Sequence, residues 1–506
     1  MPATLQATIA ARIDRIDPGA KQTLNAAAVI GLRFSADQLA LLDDAAELGE
    51  LIAAELVDQV RFTPGAEYAF HHPLIRTVAY ESQLKSGRAE LHRRLAAAIE
   101  RSDPDAAEEN AALIAEHLEA AGDLRAAFGW HMRAGTWAQY RDIGAARVSW
   151  ERARTVADRL PTDDPDRTWM RITPRTLLCG STFRISGTVA ATDFDELRDL
   201  CTAAGDTVSL AIGMAGLLTT LVFHSQFREA SRVASECSRL LESIGDPTLT
   251  VGVAIGPSNA KWQAGKATES LRLAQRVIDL AEGNPTKADL LVGSPLAMAI
   301  ALRGCNRYCL GLRGWKEGLD RAVVMARAVD TTSYVAAVMW EYMYPIHVGA
   351  LLADAAAIRD TAEALEIADH SGDDFAVDAA RQSRAVVLAK ADDSHSETVL
   401  ALLNQGREAN LRHGYVQSAR TVGTEIVRQK ARLGDIAGAI ELARAVVDYL
   451  FDTGEMITRG EATRVLVESL LQRGGDGDVE AAQAAVGRLA AVPTDPGYVL
   501  FEIPLL

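Results

Sequence analysis

At 506 residues the chain exceeds what one compact core holds, and the length fits roughly three domains or one extended repeat array. With 6% aromatic residues, abundant Ala, Leu, Arg and Glu, and few Val/Ile/Thr-rich runs between turns, the composition favours helix and leaves little room for sheet. A formal charge of -16, with acids and bases mixed along the chain, repels nucleic acid and anionic membrane, so direct binding to either is not expected.

In chain order, the opening "MPATLQATIAARIDRID" carries Arg12, Asp14 and Arg15 where a secretory signal needs an apolar run. Together with five irregularly spaced cysteines it points to a reducing, cytoplasmic setting. Asp17-Pro18-Gly19 divides two short amphipathic helices, Ser35 is placed to cap "SADQLALL", and "AAELGELIAAELVDQ" predicts a longer helix with Leu48, Leu51, Ile52, Leu56 and Val57 on its apolar side. In "VRFTPGAEYAF", Val60 and Phe62 alternate, Pro64-Gly65 turns, and Tyr68 and Phe70 alternate again, which predicts one β-hairpin.

Short helices followed by a two-stranded wing predict a small winged-helix-like domain over residues 1–85. Winged helices that read DNA lay a basic helix in the major groove. The helix before this wing instead carries Glu47, Glu50 and Glu55, and residues 1–100 hold ten Lys/Arg against thirteen Asp/Glu. A protein-facing or nucleotide-facing role is therefore expected.

Beyond residue 85 the pattern is helix after helix: first helical-repeat hairpins over 86–165, then an α-solenoid over 166–506. Its starting turns fall near Gln226, Gly265, Gly314, Ala353, Gly434 and Gly477, with a degenerate unit around "SHSETVLALLNQGREANLRHG". A spacing of about forty with two helices per unit is that of a TPR-like superhelix. Thr207–Phe227 carries no formal charge over about the length of a bilayer crossing, but its Ser, Thr, Gly, His and Gln content favours a buried solenoid helix over a membrane span.

No catalytic residue and no metal ligand set stands out. Gly256 lies too far before Gly265 for a phosphate loop, and Lys266 is followed by Ala267, so Gly265-Lys266 reads as a repeat turn. Rossmann, HExxH, CxxC and nucleophile-elbow patterns are missing from the sequence. Cys305 and Cys309, one helical turn apart, read as packing, with a redox or metal pair as the alternative. Trp130, Trp137, Trp150, Trp262, Trp315 and Trp340 read as wedges between helices, with a peptide groove as the alternative. His117 and His131 read as interhelical packing or hydrogen-bonding groups.

The segments "LQATIAARIDRIDPGAKQTLNAAAVIGLRFS", "LIAAELVDQVRF", "YAFHHPLIRTVAYESQL", "RAELHRRLAAAIE" and "IAEHLEAAGDLRAAFGWHMRAG" resemble the region downstream of the ATPase core in bacterial STAND/AAA-type signalling ATPases. Those proteins occur fused to class III adenylate/guanylate cyclase domains or to a LuxR-type helix-turn-helix. The resemblance is specific from residue 4 to about 160, and the tail "VPTDPGYVLFEIPLL" favours the cyclase-fused branch.

The resemblance implies an all-α regulatory and protein-interaction portion that is not itself an enzyme. The cyclase and the ATPase core would precede Met1, the chain would be truncated at its C-terminus, and ATP and Mg would belong to that upstream module and not to this chain. The expected partners are a protein or peptide on the solenoid and an ATPase/cyclase module in trans. In STAND ATPases a histidine just after the wing contacts the ADP phosphate in the resting state. Here His72 stands at that position, within an inter-domain motif of His71, Leu74, Arg76 and Tyr80, and Pro73 replaces the usual aspartate. Imidazole suits the task as a phosphate donor; the alternative is that His71 and His72 only satisfy backbone groups at a strand-to-helix turn. A LuxR-type regulator fragment, for which residues 440–506 offer no convincing basic helix-turn-helix, and a stand-alone TPR-like adaptor are the competing functions.

Overall fold

The computed structural model describes residues 3–43, 46–63, 65–102, 107–185, 187–391 and 397–501. Pro64 of the expected wing turn, Ser394–Ser396 of the degenerate unit and the last five residues of the tail lie outside them. The chain divides into two units, Met1–Trp137 with Val148–Arg171, and Ala138–Arg147 with Ile172–Leu506.

The first unit begins with α1 (Ala3–Ile13) and α2 (Pro18–Ile30), the latter started by Pro18 in its first turn behind Asp17. Then follow β1 (Arg33–Ser35), α3 (Ala36–Ala40), α4 (Leu48–Ala53), β2 (Val57–Arg61), β3 (Glu67–Phe70), α5 (Pro73–Ser82), α6 (Lys85–Ser102) and α7 (Ala111–Ala120). Ser35 caps α3 in a full capping box: the Gln38 N–H donates to Ser35 Oγ at 3.0 Å and the Ser35 N–H donates to Gln38 Oε1 at 2.9 Å.

The sheet has three antiparallel strands with β3 in the middle, flanked by β1 and β2. The sequence pointed to the β2–β3 hairpin alone; β1 is three residues long, too short to show alternation. The helix before the wing is shorter than its sequence suggests, because Glu55 adopts a left-handed φ of 52° that turns the chain into β2. Leu24, Phe34, Leu51, Phe70 and Ile75 pack beneath the sheet, while Phe62 in the wing is 70% exposed.

The second unit stacks helix pairs. Its inner helices are Thr207–Phe223, Ile255–Gln263, Pro295–Cys309, a broken helix over Thr331–Val338, Met339–Met343 and Tyr344–His347, then Asp374–Ala391, Val416–Arg432 and Arg459–Arg473. The outer helices begin at Phe227, Ala267, Trp315, Ala355, Glu397, Ile436 and Asp478, and six of these starts follow the marked turns by one or two residues. Outer helices bury one stripe, as Phe227, Ala230, Ala234, Cys237 and Leu241 do. Inner helices are buried nearly all round, which explains why Thr207–Phe223 reads so apolar. Among the described residues no helix is long and apolar enough to cross a membrane.

Glycine sets how closely these helices cross. A Cβ at Gly216 would lie 2.5 Å from Gly180 Cα and 2.6 Å from the Cys179 carbonyl oxygen. The unit also curls onto itself. The Tyr415 hydroxyl donates to the Phe183 carbonyl at 2.8 Å, the Met456 N–H to the Gln263 carbonyl at 3.0 Å, and the Val499 N–H to the Cys309 carbonyl at 2.9 Å.

Candidate functional site

The expected histidine motif lies at the start of α5. His72, exposed and in extended backbone, is the N-cap: its Nδ1 accepts from the Leu74 N–H at 3.1 Å. With Nδ1 as the acceptor of that bond, the ring N–H belongs on Nε2. His71 Nδ1 pairs with Asp58 on β2 at 2.9 Å, Leu74 is buried, and Arg76 Nε donates to the Ala28 carbonyl at 3.0 Å. The Tyr80 hydroxyl meets His92 Nε2 at 2.9 Å under the Arg88 guanidinium, and His92 Nδ1 meets His117 Nδ1 at 3.1 Å. Burial, then His117, Arg88 and Arg76, push the His92 pKa down to about 4. The motif thus splits into a solvent-facing histidine pair and a Tyr80–His92–His117 relay inside. His92 carried no distinguishing sequence signal.

The capping role has a measurable size. Replacing His72 with Ala should cost about 1 kcal/mol in chemical denaturation, and His72→Asn should restore it.

Within the second unit aromatic side chains of different inner helices meet. Phe183, Phe223, Phe375 and Tyr415 form one aromatic cluster, with Phe223 stacked on Phe375 at 5.2 Å. Trp262 contacts Tyr344 edge-on at 5.1 Å and Trp340 at 6.3 Å, and its Nε1–H donates to Cys309 Sγ at 3.4 Å. All five thiols are buried, and burial pushes Cys309 up to about 12, so the Cys305/Cys309 pair is packed as unreactive thiol. Met339–Met343 is a π-turn carrying Trp340 inward. Next to it, burial and Asp320 push the Glu341 carboxyl up to about 7 against the pull of Lys316, 2.7 Å away. No group of acids, histidines and cysteines among the described residues is suited to hold a metal.

Further along the axis lies a charge cluster. Glu425, 0% exposed, accepts from His347 at 2.8 Å and lies 3.2 Å from Arg428 and 3.5 Å from Lys390. Glu461 pairs with Lys390, Arg428 and Arg464. These groups tie four successive inner helices together.

An open groove of about 730 Å³ lies between the segment Val189–Arg198 and the hairpin of helices Thr207–Phe223 and Phe227–Ile244. Leu210, Met214, Leu217, Leu221, Val233 and Leu240 form an apolar floor. Five carboxylates, Asp193, Asp195, Glu196, Glu229 and Glu236, line it against two guanidiniums, Arg198 and Arg232. Arg198 pairs with Asp195 at 2.7 Å, Arg232 with Glu229 and Glu236, and Glu196 with Arg175 at 2.9 Å, so the rim is laced with ion pairs and its lining holds more carboxylates than guanidiniums. Sequence reading had assigned the floor to buried packing. The rim comes from two stretches separated by the whole inner helix, so no local pattern announces it.

No protein-family model matches the chain, and no curated protein matches it. Among solved structures, a STAND protein with a tetratricopeptide repeat sensor from Pyrococcus horikoshii aligns with 93% of this chain at 11% identity and a TM-score of 0.44. The chain spans 63% of that protein's length. A Rap protein complexed with competence and sporulation factor aligns with 73% of this chain and 97% of its own at 11% identity and a TM-score of 0.50. The fold is an all-α, TPR-like α-solenoid. In such solenoids the turn-to-turn spacing fixes the stacking, which is why the repeat spacing is informative at an identity this low.

Proposed function

We propose that this chain is a non-catalytic, cytoplasmic regulatory portion of a STAND-type signalling system, most like the cyclase-linked branch. Its TPR-like solenoid holds a protein partner in this groove. The groove is the observation that carries this reading, since an apolar floor with carboxylates in excess along its rim complements an amphipathic helix with basic flanks. The order α2–β1–α3–α4–β2–β3 with a central β3 supports reading this region as winged-helix-like, and its acidic α4 supports a protein-facing or nucleotide-facing role over DNA reading. His72, exposed and with its ring N–H on Nε2, is the group that would meet a nucleotide phosphate on an ATPase core supplied in trans, the source of any ATP and Mg. Partner binding would shift that core between closed and open populations.

Selection of a displayed peptide library on the purified chain tests the groove. Enriched sequences should carry Lys/Arg flanking a leucine-type i, i+3, i+4 stripe. Their binding should weaken about tenfold or more in Glu229→Lys/Glu236→Lys, each charge reversal costing about 1 kcal/mol at low salt and less at high salt. Enrichment with no basic pattern, or binding indifferent to both reversals, would sink the reading. The chain alone should neither hydrolyse ATP nor form cyclic AMP.

A further inference from the structure

A second concavity lies inside the same unit, away from the groove. It is a cavity of about 70 Å³, opening into a wider recess, lined by Phe183, Phe223, Phe375 and Trp340 with Met298 and Ala336. None of its lining residues carries a charge, which is unusual in a chain of net charge -16. Polar character comes only from Thr219, Asn259, Thr332 and Ser333. Of these, the Asn259 carboxamide oxygen is buried without a hydrogen-bond partner. A buried acceptor left unmet costs on the order of 1–3 kcal/mol, which a donor from a bound molecule would offset.

Three further features converge there. The π-turn Met339–Met343 brings Trp340 to the wall, and π-turns mark functional sites more often than ordinary helix does. The connection from Glu282 to Ser294 is long and irregular, and Ala288 within it takes a left-handed φ of 57°. This connection reaches the cavity with Leu291 and Val292. It is admitted by two glycines: a Cβ at Gly180 would lie 2.6 Å from Leu291, and one at Gly252 would lie 2.7 Å from Leu290 and from the Ala288 carbonyl. The Tyr140 hydroxyl holds it by donating to the Asp289 carbonyl at 2.6 Å.

We propose that this cavity is a binding site for a small, neutral, mainly aliphatic molecule carrying one hydrogen-bond donor, such as an aliphatic alcohol. Its chain fills the aromatic cavity, its hydroxyl donates to Asn259, and the Glu282–Ser294 connection covers it. An apolar cavity of about 150 Å³ accepts benzene or xenon, so about half that volume suits a chain of a few carbons, with longer chains running into the recess. A sugar is disfavoured because its several hydroxyls would outnumber the polar groups of the wall.

The test is titration of the full chain with straight-chain alcohols from ethanol to 1-hexanol at low millimolar concentration, read by ligand-observed NMR and by tryptophan fluorescence. Saturable binding that tightens with chain length and then levels off is expected. Ala336→Leu, which fills the cavity, should weaken it at least tenfold with the melting temperature unchanged or raised; Ala336→Val, a smaller fill, should weaken it less and guards against a folding defect. Asn259→Leu should abolish the preference for an alcohol over xenon. Linear, unsaturable response in the unaltered chain would overturn the proposal, as would binding that Ala336→Leu and Ala336→Val leave intact.

Discussion

Replacing Glu425 with Ala should cost about 3–5 kcal/mol, because it strands buried cations that nothing else neutralises fully. Lys390, Arg428 and His347 all face this carboxylate, and Glu461 cannot take its place at His347, whose Nδ1 lies 2.8 Å from Glu425. Glu425→Gln should cost less, since the amide keeps the shape and can still accept from His347. A lower urea midpoint at unchanged m-value would be the readout.

The same cluster predicts acid sensitivity. For both carboxyls burial works upward, but it is outweighed: Lys390, Arg428 and His347 hold Glu425 well below its ordinary value, and Arg464, Lys390, Arg428 and His347 bring Glu461 to about 2. A carboxyl depressed on folding contributes fully above its unfolded value of about 4.5 and loses that contribution as pH falls through its folded value. Unfolding free energy should therefore drop between about pH 4.5 and 2, and Glu425→Gln should flatten part of that slope. Glu341 acts in the opposite direction. Its carboxyl is raised to about 7, so the folded chain binds the extra proton and stability declines gently as pH rises from about 4.5 to 7.

Trp262→Ala should be comparably costly, about 3–5 kcal/mol, with Trp262→Phe recovering much of it. Trp262 is fully buried, contacts Trp340 and Tyr344 edge-on, and gives its indole N–H to Cys309. The truncation leaves a void that three inner helices surround, and close-packed interiors collapse around such voids only in part. Loss of near-ultraviolet circular dichroism from the Trp262/Trp340/Tyr344 group should accompany the lower urea midpoint.

What could be read in the sequence was what repeats or has a strong local grammar. Ser35, Gln38 and Pro18 announce helix starts by their own chemistry. The turns before Phe227, Ala267 and Trp315 announce themselves by spacing. The two histidines could be placed at a strand-to-helix turn because alternation ends at Phe70 and Pro73 opens a helix. The rest depended on partners far along the chain. A three-residue strand becomes visible only when β3 lies beside it, and the pairing of Glu425 with His347 spans 78 positions. The aromatic packing was also out of reach: no local pattern shows that Phe223, Phe375, Tyr415 and Trp262, from four different helices and connections, share one core.

The contact between Tyr415 and Phe183 joins residues 232 positions apart. Open repeat arrays behave as one-dimensional chains in which any repeat can nucleate, and the end repeats fray or can be removed. Here the largest core runs from Phe183 through the helices up to Asp374–Ala391 and takes in Tyr415, Met456 and Phe501, while residues from 427 to 482 pack a core of their own, so the repeats of the larger core depend on residues several repeats away. Closing such contacts carries a large loop-entropy cost before any of them stabilises the chain. The repeats that share the larger core are thus built to fold together. Trimming from the C-terminal side would remove Met456, Tyr498 and Phe501, which wall the core of repeats far upstream.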